Sequence, residues 1–489
     1  MRYFLLHNSQ SSAQRLVRKV SRLIGITDLS EVTDEDVVIR FNHTDGQDKG
    51  YWTINRAQAL AEASSRQYVL NTLRRSGMYC PRKVGQGEGK VQLVRHYRIP
   101  VFNLKALSCF RTEEKAVWLA RRIHSVVDSF DEVSQEIDEQ ARKACLLAVR
   151  AVHSLGLEFG LVSIGVNPYG RLIVLDISSE PVLKGRLLDI YIDAINDYIN
   201  AQEQALQVSS KTVRIGADLE FMLRTRGDKI ALASKYFPTA GVVGCDDRSL
   251  GGNRSRRPLA ELRPEPASNP EQLLQNIAVA MRQATRMLPK AYPQWVAGSA
   301  PFERFAVGGH IHFSGTPFTG RLVNLLDVYV GLPLMLIEDP RTSARRRPKY
   351  GFLGDVRHKG YGGFEYRTPA SFLVDPQLAL GALALAYTCV IHQASMPYLP
   401  LHTKSLSKAF YSSDHDALLH LANQVHENIS ATSTYLVYQE AIDAIFEMIR
   451  NDEVWDESVD IRAAWDIPVV PHAGRRQVAA KAALMRSNR

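Results

Sequence analysis

The sequence has 489 residues, of which 45% are hydrophobic and 23% are charged, a composition typical of a soluble globular protein with two large domains or about three smaller ones. Its longest apolar run, residues 378–391, is shorter than the ~20 residues that span a bilayer, and its start lacks the layout of a secretory signal, so we expect a cytoplasmic protein with no membrane partner. The net charge of +9 does not indicate nucleic acid as a partner, because five of the basic residues lie in an acid-free stretch after residue 470.

Residues 1–205 show an alternation of strand and helix patterns. Strands are predicted at 3–6, 37–41, 91–95 and 172–177, and helical stretches at 58–76 and 136–155. This alternation indicates an α/β unit. The polar stretch 202–210 is the predicted linker to the next domain.

The second half of the chain has short strands separated by loops rich in glycine and proline. A strand at 213–223 opens this region, and a helix over 270–288 is predicted from Asn269 as N-cap and Pro270 at the first helical position. A second helix, 376–393, is apolar nearly all round and should be buried, and two more helices are expected after residue 405. The predicted fold class is α+β, with domains at 1–205 and 206–465 and a basic tail at 466–489.

Four strand candidates carry polar residues two positions apart, which places each pair on one face of its strand. The pairs are Asp218 and Glu220, Glu261 and Arg263, His310 and His312, and Glu365 and Arg367. A solvated strand face explains any single pair. Four pairs together favour a site, because clustered carboxylates repel one another unless a cation lies between them.

The residue types in these pairs indicate a metal and nucleotide site. Carboxylates with imidazole are suitable ligands for Mg²⁺ or Mn²⁺. Arginines match phosphate geometry, so Arg263, Arg367 and the basic cluster at 341–359, with Arg345, Arg347 and Arg357, are candidates for holding the triphosphate of ATP.

Four ordered motifs, IGADLEF, AELRPEP, GGHIHFSG and GFEYRTPAS, lie between residues 212 and 400. At these motifs the sequence resembles the phage-type amidoligases, which belong to the carboxylate–amine ligase branch of the glutamine synthetase-like superfamily. The resemblance implies a curved antiparallel sheet that binds ATP with two or more divalent ions. It also implies a reaction in which a carboxylate is phosphorylated and then attacked by an amine.

The resemblance further implies two sets of metal ligands. The ligands of the metal nearest the γ-phosphate are Asp218, His310 and Glu365, and those of the metal nearer the acceptor carboxylate are Glu220 and Glu261.

Two other residues receive roles from the same resemblance. His312 is similar to the histidine that contacts nucleotide phosphate, and Arg367 to the arginine that stabilises phosphoryl transfer. One departure is visible at Asp218, where many relatives have glutamate, so the reach to that metal is one methylene shorter.

Residues 1–205 resemble an ATP-grasp domain through HYRIPVF (96–102), LLAVRAVHSLGLEFGLVSIG (146–165) and GRLIVLDISSEPVL (170–183). Active members have an acidic residue in place of Ser163 and a Glu-x-Asn pair in place of Asp176 and Ser178. We therefore predict a degenerate domain that binds a substrate, a peptide or the partner domain, with a second working ligase site as the alternative. The glycine-rich stretch 85–90 is either a phosphate loop or a turn.

The function predicted from these features is ATP-dependent formation of an amide bond between a carboxylate and an amine. Small molecules, amino acids or peptides are the expected substrates, and a homo-oligomer is possible. Two alternatives stay open, a phosphotransferase that acts on a guanidino or similar acceptor and a non-catalytic protein that binds nucleic acid or serves as a scaffold. The sequence does not identify the acid or the amine.

Overall fold

The computed structural model of the chain describes residues 1–81, 90–119, 122–288 and 293–468. The predicted glycine-rich loop at 85–90 and the basic tail at 466–489 lie almost entirely outside these residues. Of the helices in the described ranges, none is long and apolar enough to cross a membrane.

The first 205 residues contain twelve named strands and five helices within the described ranges. The strands are β1 (Tyr3–His7), β2 (Leu23–Ile26), β3 (Val37–Phe41), β4 (Trp52–Ile54), β5 (Lys90–Gln92), β6 (Arg95–Phe102), β7 (Lys105–Ala106), β8 (Phe110–Thr112), β9 (Ala116–Trp118), β10 (Asp131–Glu132), β11 (Phe159–Val166) and β12 (Leu172–Ser178). The helices are α1 (Ser11–Lys19), α2 (Ala57–Ser64), α3 (Arg66–Arg75), α4 (Glu139–His153) and α5 (Gly185–Ala205).

These elements form two main sheets. Strands β2, β1, β3 and β4 pair in parallel in that order, while β10, β8, β6, β11 and β12 form an antiparallel sheet to which β7 adds beside β6. The predicted strands at 3–6, 37–41 and 172–177 are confirmed. The predicted strand 91–95 was wrong, since its residues divide between the end of β5 and the start of β6.

The helices of this half also differ in detail from the prediction. The stretch 58–76 forms two helices, because Ser65 has extended backbone angles and its side chain caps the second helix by accepting from Tyr68 N. Helix α5 continues to Ala205, so the predicted linker at 202–210 begins only after that residue.

The second half of the chain contains eight strands and eight α-helices within the described residues. The strands are β13 (Arg214–Arg224), β14 (Ile230–Ala231), β15 (Val243–Cys245), β16 (Leu259–Leu262), β17 (Gln294–Val296), β18 (Gly309–Ser314), β19 (Val356–His358) and β20 (Phe364–Tyr366). The helices are α6 (Pro270–Arg286), α7 (Gly320–Leu326), α8 (Leu332–Leu336), α9 (Pro340–Arg346), α10 (Pro376–Ile391), α11 (Lys404–Ser412), α12 (His415–Ser430) and α13 (Ser433–Arg450). A π-helical turn, Asp327–Gly331, joins α7 to α8.

One antiparallel sheet organises this half, with strand order β15, β16, β13, β18, β20, β19 and with β14 and β17 also paired to β13. Along β13 the buried Ile215, Ala217, Leu219 and Phe221 alternate with polar residues and belong to the large hydrophobic core shared with α6, α10 and α13. The helices therefore cover one face of the sheet, and the opposite face is left for polar side chains.

The helix predictions for this half are mostly confirmed. The side chain of Asn269 accepts a hydrogen bond from Gln272 N at the start of α6, and α10 is buried between α6 and α13. The two helices expected after residue 405 are present as α12 and α13, and α11 begins just before that point, at Lys404. Ser413 adopts left-handed angles between α11 and α12, which ends the first of them. The predicted fold class, mixed helices and sheets with an antiparallel second half, is confirmed.

Candidate active site

The strand register brings the four predicted residue pairs to one face of the sheet. Asp218 lies opposite His310, Glu220 opposite Glu261, and His312 opposite Glu365. Residues directly opposite on neighbouring strands are ~5 Å apart at Cβ, so groups separated by up to 147 positions in the chain become neighbours. The predicted convergence of these motifs is present in the structure.

The two histidines each contact a carboxylate across the strands. Nε2 of His312 lies 3.1 Å from Oδ2 of Asp218, and Nδ1 of His310 lies 3.0 Å from Oε1 of Glu365. Burial works to raise the pKa of Asp218, but the hydrogen bond and charge of His312, together with Lys359, outweigh it and lower that pKa. The carboxylates at this end of the face are therefore held in their charged form.

Three sets of side chains on this face offer ligand atoms within 4.8 Å of one another. The sets are Asp218, His312 and Glu365; Asp218, Glu261 and His310; and Glu220, Asp246 and Glu261. Asp218 and Glu261 each belong to two sets, so the face can hold adjacent cations with shared carboxylates. The resemblance implied that His310 shares a metal with Asp218 and Glu365. In the structure His312 is grouped with those two carboxylates, and His310 is grouped with Asp218 and Glu261.

Positive side chains surround Glu365. Nζ of Lys359 is 2.8 Å and Nη1 of Arg357 is 3.6 Å from its Oε2, while Nε of Arg367 is 3.2 Å from its Oε1. Burial favours the neutral form of this carboxyl, but the hydrogen bond and charge of His310, together with Lys359 and Arg367, lower its pKa well below the ordinary value. Of the predicted phosphate-binding arginines, Arg357 and Arg367 thus lie at the site.

Glu261 is held differently. Burial raises its pKa to about 8, and the charges of Asp218, Glu220 and Asp246 add to that effect, although Arg263 opposes it through a direct hydrogen bond to the Glu261 carboxylate. Burial and several carboxylates around one point therefore both disfavour the charged form of Glu261, and a bound cation would favour it. Arg263 also donates to Cys245 O at 3.1 Å, which ties its guanidinium to β15.

Arg248 is the cation beside the second group of carboxylates. Its guanidinium donates to Glu220 Oε2 and, at 2.6 Å each, to Asp246 Oδ1 and Ala306 O. Glu220 is fully buried and also accepts from Gly308 N at 2.8 Å. The loop that carries Asp246 and Arg248 therefore closes over this end of the sheet face.

Tyr350 links the two ends of the site. Its hydroxyl donates to Glu220 Oε1 at 3.2 Å, lies 2.7 Å from Nε2 of His310 and accepts from Nη2 of Arg367 at 3.3 Å. Burial raises the pKa of Tyr350 and Glu220 adds to the effect, so the phenol keeps its proton and acts as a neutral hydrogen-bonding bridge.

Two arginines predicted to bind nucleotide are not brought to this face. The Arg347 guanidinium is buried in an ion pair with Glu338, with Nη2 to Oε1 at 2.6 Å, and it also donates to Ser343. Arg345 is exposed on α9. The sequence could not separate them from Arg357, because a helix turn sends consecutive arginines in different directions.

The residues discussed for the first domain are already engaged with protein groups. Both oxygens of Asp176 accept hydrogen bonds, Oδ1 from Arg122 at 3.0 Å and Oδ2 from Ile123 N at 2.7 Å. Ser178 Oγ lies 2.7 Å from His124 Nδ1, and Ser163 is fully buried. Within the described ranges, none of the candidate metal-ligand sets lies wholly inside residues 1–205.

Sequence reasoning missed four contributors to the site: Asp246, Arg248, Tyr350 and Lys359, the last of which closes the basic cluster at 341–359 but was not a candidate. Asp246 and Arg248 repeat the spacing of two that identified the other four pairs, and this signal could have found them. Tyr350 carries no such signal, since it lies in the loop after α9 and reaches the site only through tertiary packing.

Comparison with known proteins finds a family match that covers the residues of this sheet face. Residues 215–467 match the family described as phage phiEco32-like COOH.NH2 ligase-type 2. No curated protein sequence matches the chain. Among solved structures, the chain is similar to the ATP-grasp ligase PsnB in complex with its minimal precursor, with a TM-score of 0.28 and 12% identity over 40% of this chain and 99% of that chain. It is also similar to the macrocyclase MdnC from Microcystis aeruginosa MRC bound to precursor peptide MdnA, with a TM-score of 0.29 and 10% identity over 40% of this chain and 99% of that chain. The complex of the ligase PafA with the ubiquitin-like protein Pup gives a TM-score of 0.36 at 13% identity, covering 50% of this chain and 66% of that chain. These low scores assign no residue role.

The fold and the acidic, histidine-bearing sheet face define the class as ATP-dependent carboxylate–amine ligases, which are enzymes. The matched residues make up just over half of the chain. The chain belongs to the phage phiEco32-like COOH.NH2 ligase-type 2 family.

Proposed function

We propose that the chain joins a carboxylate to an amine through an acyl phosphate formed from ATP. In the first step a carboxylate oxygen attacks the γ-phosphorus and ADP leaves. In the second step the amine nitrogen attacks the acyl carbon, the amide bond forms, phosphate leaves, and the nitrogen loses a proton. The observation that carries this proposal is the single sheet face on which Asp218, Glu220, Glu261, His310 and Glu365 converge.

The same face supports divalent cations as cofactors. The donors are carboxylate oxygens and two imidazoles, the set that Mg²⁺ and Mn²⁺ accept. The pKa of Glu261 is raised by burial and then by its carboxylate neighbours, and a bound cation would oppose both effects. Asp218, His312 and Glu365 would hold one ion, and Glu220, Asp246 and Glu261 a second. When bound, such ions supply positive charge to the triphosphate oxygens.

The basic side chains at the margin would bind and orient the nucleotide. Lys359, Arg357 and Arg367 now contact Glu365, and a triphosphate beside that carboxylate would offer them a stronger anionic partner. We assign phosphoryl-transfer stabilisation to Arg367, where one such donor is often worth about 3 kcal/mol. Arg263, held beside Glu261, would face the acceptor carboxylate.

We further propose that residues 1–205 form a domain without its own catalytic centre, which contributes a substrate-binding surface to the domain at 206–465. The hydrogen bonds from Arg122 and Ile123 to Asp176 support this division, because that carboxylate is already satisfied. Amino acids and peptides are the proposed substrates.

The test measures ADP release by the full chain with Mg²⁺ against a panel of amino acids, peptides and amines. Glu365→Gln and His310→Ala should abolish release while the protein stays folded by circular dichroism. Glu271→Gln, an exposed glutamate on α6 away from the sheet face, is the matched control and should retain activity.

Hydroxylamine distinguishes the proposed reaction from its alternatives. An acyl phosphate yields a hydroxamate, whereas transfer to a guanidino acceptor consumes ATP and yields none. Full turnover in both active-site variants would overturn the proposal, and so would ATP consumption without hydroxamate. Salt-sensitive binding to nucleic acid with no ATP consumption would favour a non-catalytic role.

A further inference from the structure

Three buried side chains from different parts of the chain meet at the contact between its two halves. His153 is the last residue of α4, Asp327 begins the π-helical turn after α7, and His402 lies in the loop before α11. All three are less than 5% exposed, and their ligand atoms lie within 4.8 Å of one another. This cluster is separate from the sheet face described above.

We propose that His153, Asp327 and His402 form a Zn²⁺ site that joins the two halves of the chain. Two neutral imidazoles and one carboxylate are a donor set that zinc accepts, with a water in the fourth position. The chemistry differs from that of the sheet face, where carboxylates dominate and favour Mg²⁺.

The distances are close to those of a zinc centre. Nε2 of His402 lies 3.5 Å and Nε2 of His153 lies 2.7 Å from the same oxygen, Asp327 Oδ2. Ligand atoms bound tetrahedrally at zinc are about 3.3 Å apart, from metal–ligand bonds of ~2.0–2.1 Å. The distance from His402 to Asp327 is already close to this value, and the distance from His153 to Asp327 would have to increase by less than ~1 Å.

The cluster is incompletely satisfied without a metal. His153 and Asp327 are hydrogen-bonded to each other. His402 has no such partner among the described residues, because its Nδ1 makes no hydrogen bond and its Nε2 is too far from Asp327 for a strong one. Buried polar groups are rarely left in this state. A metal at Nε2 would give this imidazole a partner that the protein alone does not provide.

Other groups hold the Asp327 carboxylate in position. Its Oδ1 accepts from Gly354 N and from the Tyr366 hydroxyl, at 2.9 Å each, so that Oδ2 is left for the two imidazoles. Outer hydrogen bonds of this kind orient the ligands of natural metal sites. A cleft of about 730 Å³, lined in part by Gly156 and His402, gives an access route for the ion.

The site would also steady the catalytic strand. Tyr366 lies on β20 between Glu365 and Arg367, and because side chains alternate along a strand, its ring faces the cluster while its two neighbours face the active site. A metal at the cluster would therefore fix β20, which carries Glu365, and the position of Arg367 directly after it.

The test uses the full chain, stripped of metal with a chelator and titrated with Co²⁺, whose visible absorption reports a tetrahedral nitrogen and oxygen site. We expect one tight equivalent in the wild type and in Asp218→Asn, which removes a ligand shared by two sets on the sheet face. His402→Gln should weaken binding by at least about 100-fold, since loss of even an outer partner costs 10–100-fold. The matched control is His426→Gln, which should bind Co²⁺ like wild type. His426 also contacts an aspartate, Asp443, at 2.7 Å, but it belongs to none of the candidate ligand sets among the described residues.

A thermal melt provides a second measurement if His402→Gln does not fold. Zn²⁺ should raise the thermal midpoint of metal-free wild type, by an amount that reflects about 4 kcal/mol when its concentration is 1,000 times Kd. The proposal is overturned if wild type binds no more Co²⁺ than folded His402→Gln, if the absorption is lost in Asp218→Asn, or if Zn²⁺ leaves the wild-type midpoint unchanged.

Discussion

Replacing Arg248 with alanine tests whether the second group of carboxylates is built for a cation. Arg248 donates to the buried Glu220 and to Asp246, so its removal leaves both carboxylates without their main positive partner. Breaking a buried ion pair from one side costs about 3–5 kcal/mol. Arg248 is about a third exposed and Glu220 keeps its bond from Gly308 N, so we expect a loss of about 2–3 kcal/mol in metal-free protein.

Added Mg²⁺ should then recover part of this loss in Arg248→Ala. In the wild type the guanidinium pairs with Glu220 and Asp246, two of the three carboxylates that would hold the ion, so the two cations should compete for them. Without that competition Mg²⁺ should bind more tightly, and each tenfold gain in affinity returns about 1.4 kcal/mol to the folded state. The expected result is a larger Mg²⁺-dependent rise of the thermal midpoint in the variant than in the wild type.

The assay is a thermal melt with and without Mg²⁺, and Arg257→Ala is the matched control. Arg257 pairs at 3.1 Å with Asp247, whose side chain is 97% exposed, so its loss should cost less than ~1 kcal/mol and leave the Mg²⁺ effect unchanged. Equal Mg²⁺ shifts in Arg248→Ala, Arg257→Ala and wild type would refute the reasoning, because the carboxylates would then not be exchanging one cation for another.

Two further predictions concern stability away from the sheet face. Burial raises the pKa of Glu158 to about 8, so at pH 7 the folded state holds a proton that the unfolded chain releases above pH ~4.5. In urea titrations Glu158→Gln should therefore be more stable than wild type by up to about 3 kcal/mol at pH 7, and this gain should shrink toward pH ~4.5. Equal stability of the two proteins at about pH 7 would contradict the raised pKa. Gly315, after β18, has a φ of +72°, and a Cβ there would meet Thr212 O at 1.9 Å, so Gly315→Ala should cost at least about 3 kcal/mol in the same titration. Gly170→Ala, with a φ of +75° and open space, should cost about 1 kcal/mol, and equal losses in the two variants would exclude the clash as the cause.

Much of the site could be predicted from sequence because it lies on strands. The period of two along a strand decides which residues share a face, and this rule placed Asp218 beside Glu220 and His310 beside His312 without knowledge of the fold. The rule gives no information about which strands are neighbours. The pairing of Glu220 with Glu261 depends on sheet order, and in the sequence only the family resemblance implies it.

The parts that sequence did not predict come from loops and irregular turns. Arg345 and Arg347 belong to one basic cluster in the sequence, yet the first is exposed and the second forms a buried ion pair with Glu338. No local pattern separates these outcomes, because each depends on what packs against α9. Tyr350 shows the converse, since no sequence pattern marks it as a site residue, yet its hydroxyl hydrogen-bonds to both Glu220 and Arg367.

This division between strands and loops has a chemical consequence. Four of the five carboxylates that would hold cations, Asp218, Glu220, Glu261 and Glu365, come from the paired strands β13, β16 and β20, whereas Asp246, Lys359 and Arg248 come from loop segments. A rigid acidic face preserves the spacing that metal ions require. If a nucleotide binds as proposed, Lys359 and Arg248 could exchange a carboxylate for a phosphate, because that change needs movement of a side chain and its loop but no change in strand register. Under the proposed function, these basic side chains would offset part of the charge of the acidic face before ATP binds and would be available to the triphosphate afterwards.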